Sequence, residues 1–410
     1  MPKTLLLVLL LVAGCTSRGE IEIPKYIKDL DNLTVYPADV KPVATIRFAE
    51  EQTFGDTEEV VIGNMGRIEV DKWGRVYIED PTWGRAAIYV FRPNGAFLTT
   101  ISRQGKGPGE FLAVFSMQIR SGRLFLFDPD QQRIHVFSLD PASPDLFSLA
   151  KTILFKPKSW SDNEKIKTYT SPNIGYIRSD GKIMGGFIDI EKDEHSLSER
   201  KIHYYLFDKS GSMLQPVKKI LEHRAIRYLN LHPTIFLFPF LRKPLTAVSK
   251  TDSIYSAWSE DFLIKIHAPD GSYRRSIYYP ITKQPLSRND EILKNYMKEK
   301  AEAARQNSRF MGSHQTRERI LSEVMPETWP ALNDMLIDDK NRLWVSTIVE
   351  NFEVYEWWVL KDTGELLARF TWPRQRKLKE VKNGYAYTLE KDEQTGLQQV
   401  VRYRIEMEKN

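Results

Sequence analysis

Short apolar segments alternate with tight turns through most of this chain, and they recur as a unit of four segments. In the clearest copy the first segment begins at Ile68, and a turn at Lys72-Trp73-Gly74 leads to the second. A turn at Pro93-Asn94-Gly95 joins the third segment to the fourth. An Asn-Gly pair between alternating apolar runs is a strong signal for a β-hairpin. Each unit is therefore predicted to be an antiparallel sheet of four short strands.

Five further copies are recognised by the turns between their first two strands. These turns lie at Ser121-Gly122, Asp180-Gly181, Thr251-Asp252, Lys340-Asn341 and Asn383-Gly384. In the third copy, Lys201 to Phe207 is expected to pair with Met213 to Ile220. The sixth copy lacks an outer strand, which Val43 to Phe48 could supply. A ring of such sheets leaves only short edges unpaired. The predicted fold is all-β, a six-bladed β-propeller over residues 41–410 in which an N-terminal strand closes the last blade.

The segment between the first two units carries a resemblance to a known repeat. Gly105-Lys106-Gly107-Pro108-Gly109-Glu110-Phe111 looks like the link between blades of NHL-type repeats. Asp128 and Arg133-Ile134-x-Val136-Phe137 resemble another part of that repeat. Later units keep the turns but lose the glycine-rich segment. The resemblance implies a propeller fold and says little about activity, because propellers host many functions.

The N-terminus has the features of a secretory signal. Lys3 precedes an apolar run from Leu5 to Leu11, which is too short to span a bilayer of ~20 helical residues. Val12-Ala13-Gly14 before Cys15 resembles the lipobox of bacterial lipoproteins. With the repeats, this is similar to six-bladed propeller lipoproteins of Gram-negative bacteria. It implies a signal peptide at 1–14, a diacylglyceryl group on the Cys15 sulfur and a lipidated tether at 15–40. An ordinary cleaved signal and an uncleaved anchor are the alternatives.

Charge and cysteine content exclude some classes of function. Cys15 is the only cysteine, so no intrachain disulfide can form. The 59 basic residues barely exceed the 54 acidic ones, and this mild surplus does not indicate nucleic-acid binding, which needs a clustered basic face. The chain contains no Gly-x-Ser-x-Gly elbow, and Pro108 and Phe111 interrupt any resemblance to a phosphate-binding loop.

The longest connections are predicted to share one rim of the propeller. They cover residues 156–172, 189–200, 221–244 and 280–330, whereas nearly all turns on the other rim are short. Long insertions collected on one face indicate a working face. The segment 286–330, between blades four and five, is expected to be helical and could be a lid, a docking arm or a cover for the sheet. The apolar stretch from Leu229 to Leu241 could be core or a partner contact.

The same rim is predicted to carry the binding residues. Aromatic and arginine side chains suit a sugar, peptide or protein surface. Carboxylates there could bind calcium at the channel mouth, or could cap loops through backbone hydrogen bonds. The candidate residues are Trp83, Arg85, Arg103, Asp128, Arg133, Trp258, Asp261 and Glu350.

The histidines indicate no compact metal motif. His135 and His267 fall in predicted third strands and are interpreted as packing residues. His223 and His232 fall in a predicted insertion and could be ligands or bases. No residue is assigned a catalytic role, and no metal site is assigned.

Three functions are compatible with these patterns. The preferred one is a lipid-anchored binding or assembly protein of the bacterial envelope, whose insertion-bearing face contacts a protein, a peptide or a glycan. Thr16 after the cysteine favours the outer membrane, facing the periplasm. The second is a propeller enzyme of the lactonase or lyase kind with a divalent metal at the channel mouth. The third is an accessory module of an envelope sensor or receptor.

Overall fold

Six antiparallel sheets follow one another along the chain and form a ring, as a computed structural model shows. Their innermost strands lie side by side around a central channel. The structure describes residues 22–142, 146–154, 174–189, 200–214, 219–225, 229–231, 234–236, 238–287, 290–291, 293–296 and 325–409. The predicted all-β, six-bladed propeller is confirmed.

The strands follow the predicted units closely. The N-terminal elements are α1 (Lys25–Lys28), β1 (Leu33–Val35) and β2 (Ala44–Phe54). Blade one contains β3 (Ile68–Val70), β4 (Val76–Asp80), β5 (Ala87–Phe91) and β6 (Phe97–Arg103). Blade two contains β7 (Ser116–Arg120), β8 (Arg123–Asp128), β9 (Arg133–Ser138) and β10 (Leu149–Leu154). Blade three contains β11 (Ile174–Ile177), β12 (Ile183–Ile188), β13 (Lys201–Phe207) and β14 (Lys219–Arg224).

The second half of the ring repeats this order after a small hairpin of β15 (Leu229–Leu231) and β16 (Thr234–Phe236). Blade four contains β17 (Pro244–Val248), β18 (Ile254–Trp258), β19 (Leu263–His267) and β20 (Tyr273–Tyr278). Blade five contains β21 (Leu332–Ile337), β22 (Leu343–Ile348), β23 (Val354–Leu360) and β24 (Leu366–Pro373). Blade six contains β25 (Lys377–Lys382), β26 (Tyr385–Lys391) and β27 (Gln398–Lys409), with β2 as its outer strand.

The N-terminal strand closes the ring as predicted. β2 pairs antiparallel with β27 from Ala44 opposite Lys409 to Phe54 opposite Val400. The strand is longer than the predicted segment from Val43 to Phe48. Because the outer strand of blade six comes from the start of the chain and its other strands from the end, closure ties the two ends of the propeller together.

An aspartate organises the turn between the first two strands of blades one and five. In blade five, Asp338 accepts the backbone N–H groups of Lys340 and Arg342, at 2.9 and 2.8 Å. Its other oxygen accepts the Arg342 Nε–H at 2.6 Å and the Trp344 indole N–H at 3.0 Å. In blade one, Asp71 makes the equivalent bonds to the turn and to its arginine and tyrosine. These buried carboxylates anchor each turn, because unpaired buried donors are costly.

Apolar side chains fill the interfaces between blades, each interface holding its own cluster. The cluster between blades four and five includes Phe262, Ile277 and Trp358. The cluster between blades three and four is the smallest of the six among the described residues, with Met184, Tyr204 and Ile254 at its centre. Burial of these faces stabilises the ring, whereas the thin cluster leaves space beside blade three.

The described part of the N-terminal segment packs on blade four. β1 runs parallel to β20, with Leu33 opposite Ser276 and Val35 opposite Tyr278. Ile27 of α1 is fully buried. Tyr36 stacks on Tyr279 with 4.9 Å between ring centroids. Residues 22–40, which the sequence places in the tether, therefore add a fifth strand to this sheet.

Blade three differs from its predicted form. The outer strand is β14 rather than Met213 to Ile220, because further residues intervene after the turn and Met213 forms only an isolated bridge with Phe207. His223 therefore lies in a strand, and the interpretation that placed it in an insertion is wrong. The histidine at position 232 lies outside the described residues.

The predicted insertions are only partly described. Residues 291 and 293–296 are helical, at the start of the segment predicted to be helical, and residues 297–324 of that segment lie outside the description. From the apolar stretch, Phe238 and Phe240 are buried against Leu286, Leu293 and Trp329, as a core role requires. In the described residues, no helix has the length and apolar character needed to cross a membrane.

Candidate functional site

Three of the predicted rim residues cluster beside blade one. Trp83 and Arg85 lie in the loop after β4, and the Trp83 side chain is 79% exposed. The Arg85 guanidinium lies 3.5 Å from the Asp80 carboxylate. Arg103, at the end of β6, pairs with Glu110 at 3.2 Å, and the arginine is exposed. Arg103 borders a cavity of about 580 Å³ formed with the glycine-rich link and blade two, whereas Trp83 and Arg85 are exposed at the surface.

Asp128 and Arg133 flank the loop between β8 and β9. Asp128 is fully buried and accepts the Leu112 N–H at 2.7 Å and the Gln131 N–H at 3.1 Å. The Gln131 side-chain amide donates to it at 2.9 Å. In the part of the chain that the structure describes, the Arg133 guanidinium donates one hydrogen bond, to the Gln131 side-chain oxygen at 3.4 Å. The Asp128 carboxylate is thus used by the chain itself to hold its loop.

Trp258 and Asp261 come together on blade four. Both line a groove of about 650 Å³ between the outer strand of blade three and the face of blade four. We call this space the blade 3–4 groove. Glu350, after β22, is exposed and lies outside it. The structure therefore brings two of the eight predicted residues into one cavity.

The central channel provides another cavity, which opens on the insertion-bearing rim. We call it the channel mouth; its volume is about 330 Å³. Its wall comes from the innermost strands of four blades and their preceding links. The lining residues include Arg67, Phe115, Gln118, Tyr176 and Lys379.

The channel mouth combines fixed polar groups with an unpaired amine. Arg67 donates to the Glu79 carboxylate and to the Phe115 carbonyl, both at 3.0 Å. The Gln118 side chain donates to the Gly175 carbonyl at 2.8 Å and accepts the Ile177 N–H at 2.8 Å. These bonds fix the wall, since each polar group has a partner of its own.

Lys379 is the cation at this mouth that has no partner among the described residues. Burial lowers the pKa of its amine, and repulsion from Lys377 acts in the same direction. The attraction of Asp334 partly offsets both effects. Phe115 lines the same cavity and is 46% exposed. An amine next to an exposed ring suits a ligand with both a carboxylate and an apolar part.

The channel contains a second group of charges toward the rim with short turns. Burial raises the pKa of Glu69 to about 8, repulsion from Glu380 adds to this, and the charge of Lys382 opposes it. Burial likewise raises the pKa of Glu380, whose carboxylate lies 3.3 Å from the Lys382 amine. Lys382 and Arg120 both attract these two carboxylates, which repel each other, so their titrations are linked.

The described residues offer little for a metal. They contain no group of three or more histidine, cysteine or carboxylate side chains placed to hold an ion. Of the carboxylates predicted at the rim, Asp128 bonds to its neighbouring loops, and Asp261 accepts from the Lys283 amine at 3.0 Å.

Sequence reasoning missed the channel-lining residues. Arg67, Gln118 and Lys379 are single polar positions within short inner strands or beside them, where alternation does not distinguish a side chain facing the channel from one facing solvent. One usable signal is that polar residues recur in first strands of several units, as in Arg67-Ile68-Glu69 and Lys377-Leu378-Lys379.

Comparisons with known proteins support this class of fold. Residues 42–145 match the model of the DUF5128 family, described as a 6-bladed beta-propeller. No curated protein sequence matches the chain.

Solved structures resemble the chain at low identity. A member of the DUF4221 family from Bacteroides vulgatus is 12% identical with a TM-score of 0.51, covering 89% of this chain and 99% of its own. A Bacteroides fragilis protein, provisionally named as exported, is 12% identical with a TM-score of 0.47, and the match covers 91% of this chain and 99% of that protein. Virginiamycin B lyase from Staphylococcus aureus is 10% identical with a TM-score of 0.39, covering 88% and 99%. At such identities the likeness concerns the fold alone.

Proposed function

We propose that this protein is a non-enzymatic binding protein of the bacterial envelope, held at a membrane by lipid on Cys15. Its channel mouth and the surrounding insertion-bearing rim receive a carboxylate-bearing segment of a protein, peptide or glycan. The observation that carries the proposal is the Lys379 amine, which lines a cavity beside the exposed Phe115 ring without a partner among the described residues. The outer membrane, facing the periplasm, is the location we favour.

The rim around the mouth supports a larger contact. Trp83, Arg85 and Arg103 are exposed on the same rim and add aromatic and cationic groups outside the cavity. Aromatic and arginine side chains are enriched at binding surfaces. A ligand could thus place one carboxylated end in the mouth and lay the rest over blade one.

Binding is tested with the soluble form that carries Cys15→Ser. Immobilised protein is incubated with envelope extract, and bound proteins and glycans are identified by mass spectrometry. The double variant Lys379→Glu with Phe115→Asp should lose the bound species, because it reverses the charge and removes the apolar contact. Lys340→Glu, on an exposed turn of the opposite rim, is the matched control and should retain them. Equal recovery by the double variant, or no specific recovery at all, would refute the proposal.

The anchor is tested separately. Cells that express the full chain are labelled with a palmitate analogue and fractionated with detergent. The unchanged chain should carry label and enter the detergent phase, whereas Cys15→Ser should do neither. Label that persists in the Cys15→Ser chain would contradict lipid attachment at this residue.

A further inference from the structure

The blade 3–4 groove is a separate cavity from the channel. β14 forms one wall, and β18 and β19 form the other, with small side chains at Ser256 and Ala257. The Gly271 backbone packs on Ile220 at one end, and Tyr26 of α1 lies at the other. Its volume of about 650 Å³ falls within the range of small-molecule sites, about 300–1,000 Å³.

The carboxylates of the groove are already engaged by nearby groups. Glu222 accepts from Lys219 and lies 2.7 Å from the Lys201 amine, and these bonds lower its pKa to about 2. Glu260 pairs with Arg242 and Lys283. The third carboxylate, Asp261, accepts from Lys283 and from the Tyr26 hydroxyl.

Two cations in the groove have no such counterpart. Arg224 and Lys265 both line the cavity, and neither forms an ion pair with the described residues. Lys265 is half-buried in the middle of β19, where its charge is screened less than at an open surface. The lining holds as many carboxylates as cations, but all three carboxylates pair with other cations, so Arg224 and Lys265 are left available for an anion.

The remaining lining is polar and uncharged, or aromatic. His223 bonds with Thr246 at 3.3 Å and His267 with Ser256 at 3.1 Å. Burial lowers the pKa of both imidazoles, so they are neutral near pH 7. The Arg224 guanidinium lies 5.9 Å from the centroid of the Trp258 ring. Trp258 and Arg224 therefore place an aromatic surface next to a cation in the same cavity.

We propose that the blade 3–4 groove binds a small organic anion, a carboxylate carried on a sugar-sized ring. The carboxylate is held by Arg224 and Lys265, and the ring packs against Trp258. A uronic acid has this chemistry. The site does not depend on the function proposed for the channel mouth, since the two cavities share no lining residue.

The test is calorimetric titration of the Cys15→Ser form with glucuronate, with glucose as the neutral counterpart and inorganic phosphate as an anion without a ring. Glucuronate should bind at least tenfold more tightly than either. Arg224→Met and Lys265→Met should each weaken glucuronate binding at least tenfold. Lys250→Met, an exposed lysine on a turn of the same blade, should leave it unchanged.

Several outcomes would overturn the inference. If glucuronate does not bind, or binds no better than glucose, the carboxylate is not recognised. If phosphate binds as tightly as glucuronate, the ring does not contribute to binding. If the methionine variants keep full affinity, and thermal unfolding shows that they are folded, Arg224 and Lys265 do not hold the ligand. Lys379→Ala should bind glucuronate normally, which separates this site from the channel mouth.

Discussion

Gly271 lies against the backbone of Ile220 so closely that a Cβ atom on the glycine would overlap the Ile220 carbonyl group. The glycine is in the last turn of blade four, and Ile220 is in the outer strand of blade three. A similar close contact joins blades two and three, where a Cβ atom on Gly211 would lie 2.6 Å from the Leu154 carbonyl oxygen. Both glycines have positive φ angles, 84° and 88°. Neighbouring blades therefore meet at a backbone contact that only glycine permits.

Gly271→Ala should destabilise the propeller by about 2–4 kcal/mol, from backbone strain together with steric overlap at Ile220. Gly384→Ala is the matched control, since Gly384 has a φ of 85° but no atom within 4 Å of the position that an added methyl group would take. It should cost only the backbone strain, about 1 kcal/mol. Urea unfolding of both variants measures the difference, and equal losses would show that the contact with Ile220 is not limiting.

Asp338→Ala should cost about 3 kcal/mol or more, because it leaves the Arg342 guanidinium and the Trp344 indole N–H buried without their acceptor. Its neighbour Asp339 accepts one bond, from the Asn383 N–H at 3.1 Å. Asp339→Ala should therefore cost no more than about 1 kcal/mol. Thermal and urea unfolding of the two variants give the comparison. Similar losses would mean that the buried carboxylate does not anchor the turn as described.

The repeat was predictable because turn chemistry is local. Gly95, Gly122 and Asn383 occupy positions with positive φ, and their residue types mark the hairpins directly in the sequence. The closing strand was predictable from the number of strands in each unit, because the sixth unit lacked one strand and one strand-like segment near the N-terminus belonged to no unit. These inferences needed no knowledge of contacts between blades.

The docking of residues 22–36 and the two cavities could not be predicted in this way. β1 has only three residues, and its parallel pairing with β20 joins positions more than 240 apart in the chain. The groove depends on how well neighbouring blades fill their interface, which the pattern of any one strand does not encode. Trp258 and Asp261 were selected for their rim position, and their shared cavity is visible only in three dimensions.

Glu69→Gln should stabilise the protein near pH 8 by up to about 4 kcal/mol, because it removes a carboxyl group whose ionisation the folded channel opposes. The pKa of Glu69 is raised to about 8, so the folded state opposes an ionisation that the unfolded chain undergoes near pH 4.5. The advantage should therefore grow as pH rises from about 4.5 to 8 and be absent at pH 4. The amide oxygen can still accept the Ile119 N–H. The urea midpoints of the variant and the unchanged protein at pH 4 and pH 8 measure this difference in stability. A variant that is no more stable than the unchanged protein at pH 8 would contradict the raised pKa of Glu69.

His223 should make the protein less stable in mild acid. Burial, followed by the charges of His267 and Lys265, lowers its pKa from 6.5 to about 4. The unfolded chain binds the proton near pH 6.5 while the folded chain does not, so stability is present above pH 6.5 and is lost as pH falls toward 4. A shift of this size corresponds to about 3 kcal/mol.

His223→Gln can keep a hydrogen bond to Thr246 and cannot titrate. The loss of stability between pH 7 and pH 4.5, measured by urea unfolding, should therefore be smaller in this variant than in the unchanged protein. Equal losses of stability in the variant and the unchanged protein would show that another group causes the loss of stability in acid.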